Sequence, residues 1–221
     1  MSQEASQPAA QTAGTPSTSG TATPPVVTLF EQFGAGADHV GRKVADALGL
    51  PFNAQAFSSE AIESSAQSTE ENATLVQVFA AMGGAYGGLD GREVASTQRQ
   101  KYELVMDNNT TVQAMAAAGG VIVGRNATVI LAERPATVHV LLTGKVEDRV
   151  ARAAQEAGIP LERAAERQRR EDQVRAQMSQ TFYGWDPREA VHYDLVFNTS
   201  RIDLDRVVDA ILVAIDARSA S

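Results

Sequence analysis

Residues 31–39, Glu31-Gln32-Phe33-Gly34-Ala35-Gly36-Ala37-Asp38-His39, follow a valine-rich run, Val26-Val27-Thr28-Leu29-Phe30, and precede a segment of helical periodicity. Strand, glycine turn and helix in that order can wrap a phosphate. Glycines let the backbone approach the oxygens, inward N–H groups bond them, and the positive helix N-terminus completes the cradle. Gly34, Ala35, Gly36, Ala37, Asp38 and His39 are therefore candidate phosphate-contacting residues. One part is missing, the lysine that follows the second glycine in the G-x-x-x-x-G-K-[ST] pattern. With Gly36 and Gly41 as the two glycines, Arg42 takes the lysine place and Lys43 the hydroxyl place, but five residues then separate strand end from loop start. With Gly36 as the second glycine, the loop starts at Glu31 directly after the strand and Ala37 stands at the lysine place. Tight-turn geometry favours this second register. A plain α/β turn, in which Asp38 caps the following helix, is the competing reading.

Such a loop needs a sheet beneath it, and the chain supplies the pieces. Asp38 to Leu48 reads as a helix with Val40, Val44, Ala47 and Leu48 inward, stopped at Gly49. From Ser58 to Ala118 helical patches alternate around a glycine-rich break, Gly83-Gly84-Ala85-Tyr86-Gly87-Gly88, with no strand signal. This stretch reads either as a helical insertion for substrate or as core helices joined by a plain loop. Gly120-Val121-Ile122-Val123-Gly124-Arg125 and Thr137-Val138-His139-Val140-Leu141-Leu142 are apolar runs of the kind buried in parallel sheets. A helix follows from Val146 to about Ala157, and Pro160 opens a long polar helix. The last strand, Tyr193 to Phe197, leads through Asn198-Thr199-Ser200 into a closing helix from Leu204 to about Ala214. Strands alternating with helices predict an α/β sandwich with a mainly parallel sheet. Ligands of such sheets sit at the strand carboxyl ends, where Gly34, Arg125 and Asn198 all fall.

The 221 residues suit one domain, 26–221, behind a leader. Residues 1–25, rich in Ser, Thr, Ala, Gln, Gly and Pro, are expected to be disordered because they offer too little apolar surface to offset their ordering entropy. The leader lacks the basic start and apolar run of a signal peptide, and no stretch reaches membrane-spanning length, so a soluble, cytoplasmic protein is expected. With no cysteine and three scattered histidines, disulfides and thiolate metal sites are excluded and a zinc centre is not expected. A formal charge of -8 argues against general nucleic-acid binding.

In order and spacing, the segments resemble the cytidylate kinase-like family, a branch of the nucleoside monophosphate kinases with the P-loop fold. The resemblance runs over roughly residues 26 to 214. It is carried by Glu31 to Gly36, Val40-Gly41-Arg42-Lys43-Val44-Ala45, Leu48-Gly49-Leu50-Pro51-Phe52, Val121 to Ala127, Glu147-Asp148-Arg149-Val150, Asp172-Gln173-Val174-Arg175 and Tyr193 to Ser200. It implies a P-loop kinase-like three-layer sandwich with a helical insertion at 58–118 and a lid at about 158–187. It also implies transfer of the γ-phosphoryl of ATP, with Mg²⁺ bridging phosphates, to a nucleoside monophosphate or another small phosphorylated acceptor. By the same resemblance, Gly34 to His39 would hold donor phosphates, Arg125 would contact the acceptor phosphate, and Asn198 to Arg201, Ser200 included, would border the donor base. Asp172 and Arg175 match the family's Asp-x-x-Arg in the lid. Arg149 is a further phosphate candidate, with a surface arginine as the competing reading. The lid arginines compete with ordinary helical ion pairs, since Glu162, Glu166 and Glu171 are interleaved with them. Tyr183 and Trp185 match the aromatic segment after the lid and read as packing residues.

The chain departs from this pattern at the loop. Where the family commonly carries Ser-Arg-Glu-Tyr-Gly-Ser-Gly-Gly-Arg-Glu, two arginines have become Glu31 and Asp38. The acidic residue that typical cytidylate kinases place before Gly-Arg is Val123, an absence shared with the family. Like charges about 5 Å apart repel by roughly 3 kcal/mol at an effective dielectric of 20, and phosphoryl transfer depends on positive charge. Two readings stay open: an ATP-dependent phosphotransferase, or a non-catalytic kinase-like protein that uses the fold for ligand binding or assembly, with a homo-oligomer or a protein partner compatible with either.

Overall fold

The computed structural model describes residues 23–56 and 91–219. Most of the expected disordered leader, and residues 57–90 with their glycine-rich break, lie outside the described residues. The described strands are β1 (Val26–Glu31), β2 (Phe52–Asn53), β3 (Gly120–Val123), β4 (Thr137–Thr143) and β5 (Leu195–Asn198). They form one sheet in the order β2-β3-β1-β4-β5, and every neighbouring pair is parallel. The helices are α1 (Ala37–Leu48), α2 (Gly91–Ala118), α3 (Ala127–Ile130), α4 (Val146–Ala157), α5 (Leu161–Tyr183) and α6 (Leu204–Ser219), with a 3₁₀ turn at Ala190–His192.

Alternation along the central strands builds the layers. Val27, Leu29, Val121, Val123, Val138, Val140 and Leu142 point to one face, where α1 and α6 cover them with Val40, Val44, Val207 and Ile211. Val26 and Ile122 point to the other, against Val112 and Ala116 of α2 and Ala127 of α3. Burial on both faces explains why β1, β3 and β4 read as nearly continuous apolar runs. Gly41, inside α1, faces the Phe52 ring, where a Cβ would lie 2.6 Å from Cε2. It is a packing glycine, and the register with Gly36 as the loop's second glycine is the one the backbone adopts.

Three elements differ from the sequence reading. Phe52-Asn53 pairs with Val121-Ile122 as an edge strand, too short to show any period. The second half of the stretch read as helical patches is one helix of 28 residues, α2. The four-residue α3 has no caps that sequence could reveal. Among the described residues no helix is long and apolar enough to cross a membrane.

The α2 face of the sheet carries a buried polar group. His139 Nδ1 lies 2.7 Å from Thr28 Oγ1, which in turn lies 3.3 Å from Thr128 Oγ1. The His139 backbone N–H donates to Asp194 Oδ2 at 2.8 Å. Burial pushes the His139 imidazole pKa down, with the Asp194 charge opposing. An imidazole kept neutral in the fold, yet free to protonate when unfolded, contributes its full stability above about pH 6.5 and loses it as pH falls towards the depressed native value. Urea unfolding should therefore show wild-type stability falling between about pH 7 and 5 more steeply than that of His139→Asn. Equal slopes would contradict a neutral buried imidazole.

Candidate functional site

The turn between β1 and α1 is Gln32 to Gly36, and it closes on itself. Ala35 N–H donates to Gln32 O at 3.0 Å. Gly34 has φ +80°, and a Cβ there would meet the Arg149 carbonyl oxygen at 2.3 Å, so only glycine fits. Gly36 caps α1 in the left-handed conformation without a side-chain bond of its own.

The missing cap is supplied by Glu31. Its Oε2 accepts the N–H groups of Gly36 at 3.1 Å and Ala37 at 3.0 Å. A carboxylate at a helix N-terminus is favoured by the orphan amides and the macrodipole together. Asp38, the cap expected from sequence, is instead the second residue of α1 and holds Arg42 in a two-point ion pair at 2.7 and 3.0 Å on the surface. Its side chain sits past the cap position, which Gly36 takes, and the amides at the head of α1 are bonded by Glu31 instead.

Helix α5 bears down on this loop through two acidic-basic pairs. Asp172 Oδ1 accepts the Phe33 N–H at 2.7 Å, and its Oδ2 accepts Arg149 Nη1 at 2.9 Å and Gln168 Nε2 at 2.7 Å. Arg149, its side chain 4% exposed, also donates to the carbonyls of Phe33 (2.9 Å) and Gly144 (3.0 Å). Arg175 donates to the Glu31 main-chain oxygen at 3.2 Å and to its Oε1 at 3.4 Å, while its Nε donates to Glu171 Oε2 at 3.2 Å. The guanidinium groups of Arg167 and Arg175 lie 4.9 and 5.6 Å from the Phe33 ring centroid, within cation–π range. The interleaved glutamate Glu171 forms helical ion pairs but is buried, unlike the solvated pairs of the competing reading, and one of those pairs reaches the loop through Arg175.

Arg125 stands on the neighbouring strand. It follows β3, which pairs with β1, and the Gly124 N–H donates to Leu29 O at 2.8 Å, so the two turns share one sheet edge. Gly124, Arg125 and Asn126 are successive residues with φ of 68°, 56° and 56°. For the two non-glycine residues this costs on the order of 1–3 kcal/mol each. Neighbours hold the turn in place. Asn108 Nδ2 donates to Arg125 O (2.8 Å) and to Tyr183 Oη (2.7 Å), and Trp185 Nε1 donates to Asn126 Oδ1 (2.9 Å). Arg125 Nε is buried with no hydrogen-bond partner, and burial lowers the guanidinium pKa.

The other predicted residues are spread around the loop. His39 Nε2 lies 2.9 Å from Asp205 Oδ1, which also accepts Lys43 Nζ at 2.7 Å, so His39 ties α1 to α6 on the surface. Asn198 Oδ1 accepts the Ser200 N–H at 3.1 Å, and Ser200 Oγ accepts the Lys145 N–H at 2.8 Å. This turn is linked to the loop by Arg152, which donates to Gly34 O (2.7 Å) and Thr199 O (2.9 Å). Sequence reasoning missed Arg152, Gln168 and the capping role of Glu31. The one available signal was a glutamate at the end of β1, where the family pattern carries an arginine.

Removing the Asp172 charge tests what that residue does. Asp172→Asn should cost about 3–5 kcal/mol in urea unfolding, because it leaves the Arg149 guanidinium buried without a counter-charge. Unchanged stability would contradict a structural role for the pair.

Comparison with known proteins gives the following likenesses. A solved structure of an uncharacterized protein from Eubacterium ventriosum matches with TM-score 0.60 and 19% identity over 88% of this chain and 99% of that one, a likeness of fold alone. Shikimate kinase from Acinetobacter baumannii, in complex with shikimate, matches with TM-score 0.44 and 16% identity over 89% of this chain and 95% of that one, too low to carry an argument. Among curated proteins, a uronate isomerase of Corynebacterium glutamicum is 29% identical over 118 residues, 53% of this chain. The match spans 23% of the length of that relative. The model of the cytidylate kinase-like family matches residues 26–201. With its parallel sheet between helical layers and its glycine loop after β1, the chain belongs to the cytidylate kinase-like family and has the P-loop kinase-like α/β three-layer fold.

Proposed function

We propose that the protein binds a small phosphorylated acceptor, a nucleoside monophosphate or a relative of one, at the Arg125 turn and transfers to it the γ-phosphoryl group of ATP. The observation that carries this reading is Arg125 itself. A strained turn holds a guanidinium with a buried, unpartnered Nε beside the loop that heads α1. An acceptor phosphate would supply the missing partner through a charge-assisted bond and offset the strain.

The loop amides support an anion as occupant, since Gly36 and Ala37 already bond a carboxylate. No three acidic or histidine side chains converge among the described residues, and Mg²⁺ would arrive bound to ATP as part of the co-substrate. As its Mg²⁺ complex, ATP brings the transferable group and neutralises part of its own charge. In the step, the bond from the γ-phosphorus to the bridging oxygen of ADP breaks as an acceptor oxygen bonds to that phosphorus. The protein's part is positional. Arg125 orients the acceptor, the main-chain amides of Gly36 and Ala37 face the donor, and α5 covers the loop against water. Asp172 and Arg149 hold the loop's shape, and the Asn198–Ser200 turn borders it on the β5 side.

A second reading, a non-catalytic member of the family that binds a ligand or a partner protein, is favoured by one observation. The loop amides and Arg175 are satisfied internally by Glu31. Calorimetry with ATP, ADP and CMP, with and without Mg²⁺, separates the two. Weak, Mg²⁺-dependent ATP binding is expected, and Arg125→Ala should weaken acceptor binding by about 1.5–3 kcal/mol with the fold intact. Failure of every nucleotide to bind would favour the non-catalytic reading. A lower melting temperature in Arg125→Ala with unchanged affinity would mark Arg125 as structural.

A further inference from the structure

The Glu31 carboxylate sits where an oxygen of an incoming phosphate would bond. It has both partners that such a phosphate needs: the N–H groups of Gly36 and Ala37 in the first turn of α1, and the Arg175 guanidinium from α5. Its side chain is 15% exposed and that of Arg175 10%, so neither partner is exchanged freely with water. Arg175 itself is shared with Glu171, whose side chain is 3% exposed.

We propose that Glu31 is a built-in competitor for the loop. A di- or triphosphate gains the Gly36 and Ala37 amides only by expelling the Glu31 carboxylate, and Arg175 passes from Glu31 to the phosphate as this happens. The inference rests on the reading that the loop receives donor phosphates, and it adds what controls access. When a site is open for only a fraction of the time, the apparent dissociation constant rises by the inverse of that fraction. Polyphosphate affinity is then set by Glu31 as much as by the absent lysine. Because Arg175 and Asp172 both join α5 to this loop, expulsion also loosens α5. Trp185, two residues past the end of α5 and the chain's single tryptophan, is placed to report that movement.

A charge control is available nearby. Glu156 lies on the exposed side of α4, and partial desolvation, then the neighbouring Glu31 charge, raise its carboxyl pKa. It makes no bond to the loop amides.

The test is calorimetric titration of inorganic pyrophosphate, which needs neither base nor acceptor, into wild type, Glu31→Gln, Glu31→Ala and Glu156→Gln, with Trp185 fluorescence followed in parallel. Glu31→Ala should bind at least about tenfold more tightly than wild type, Glu31→Gln should fall between them, and Glu156→Gln should stay within about twofold of wild type. Equal affinities for wild type and both Glu31 variants would overturn the competitor while leaving the loop as a phosphate site. An equal gain in Glu156→Gln would overturn it in favour of general charge. No binding to any folded variant would overturn it together with the phosphate reading of the loop. Should Glu31→Ala fail to fold, the isosteric Glu31→Gln decides alone, and a gain below about twofold counts against the proposal.

Discussion

The contact between Glu31 and the first amides of α1 is the constraint on which the site depends. A helix start leaves N–H groups without partners, and burying them unsatisfied costs roughly 1–3 kcal/mol each. In this chain neither the cap residue Gly36 nor Asp38 answers that need, so the last residue of β1 reaches forward across the turn. The carboxylate must then be neutralised, and Arg175 does so from α5. One partly buried charge thus fixes the turn, the start of α1 and the position of a helix more than a hundred residues away in sequence.

A second pair makes the arrangement rigid. Asp172 and Arg149 grip Phe33 on both sides, Asp172 accepting a hydrogen bond from its N–H and Arg149 donating one to its carbonyl. Each side chain makes one bond to the backbone of this turn, and the two also bond each other. Electrostatically, each carboxylate that bonds the turn backbone is paired with an arginine: Glu31 with Arg175 and Asp172 with Arg149. Arg125 differs from these, because its Nε faces no acceptor. This contrast between the arginines bonded beneath the loop and Arg125 is the ground on which Arg125 is proposed to meet a ligand.

Much of the architecture was legible because it repeats with a period. Valine-rich β1, β3 and β4 and the amphipathic α1, α4 and α6 advertise their buried faces, and Gly49 and Gly158 end their helices as left-handed caps. β2 was not legible, since two residues paired at an edge carry no pattern. The site divides differently. The loop register follows from strand length alone, whereas the destination of the Glu31 side chain depends on how a five-residue turn folds back. Arg149, read from sequence as a phosphate candidate or a surface arginine, and Arg152, which sequence did not single out, are one helical turn apart on α4; only tertiary packing brings Phe33 O to the first and Gly34 O to the second. The charge reversal at residue 31 was visible as a departure from the family's pattern, but its consequence, an anion already seated in the loop, needed the fold.

If Glu31 holds the start of α1, its carboxylate is the hydrogen-bond acceptor that slows exchange of the Gly36 and Ala37 amides. Residue-resolved hydrogen exchange by NMR measures this directly, in the absence of any nucleotide. The expected result is slow exchange at both amides in the wild type and exchange at least about tenfold faster in Glu31→Ala, with the core amides of β1 and β4 unchanged. Equal exchange rates at Gly36 and Ala37 in the two proteins would contradict the role given to Glu31.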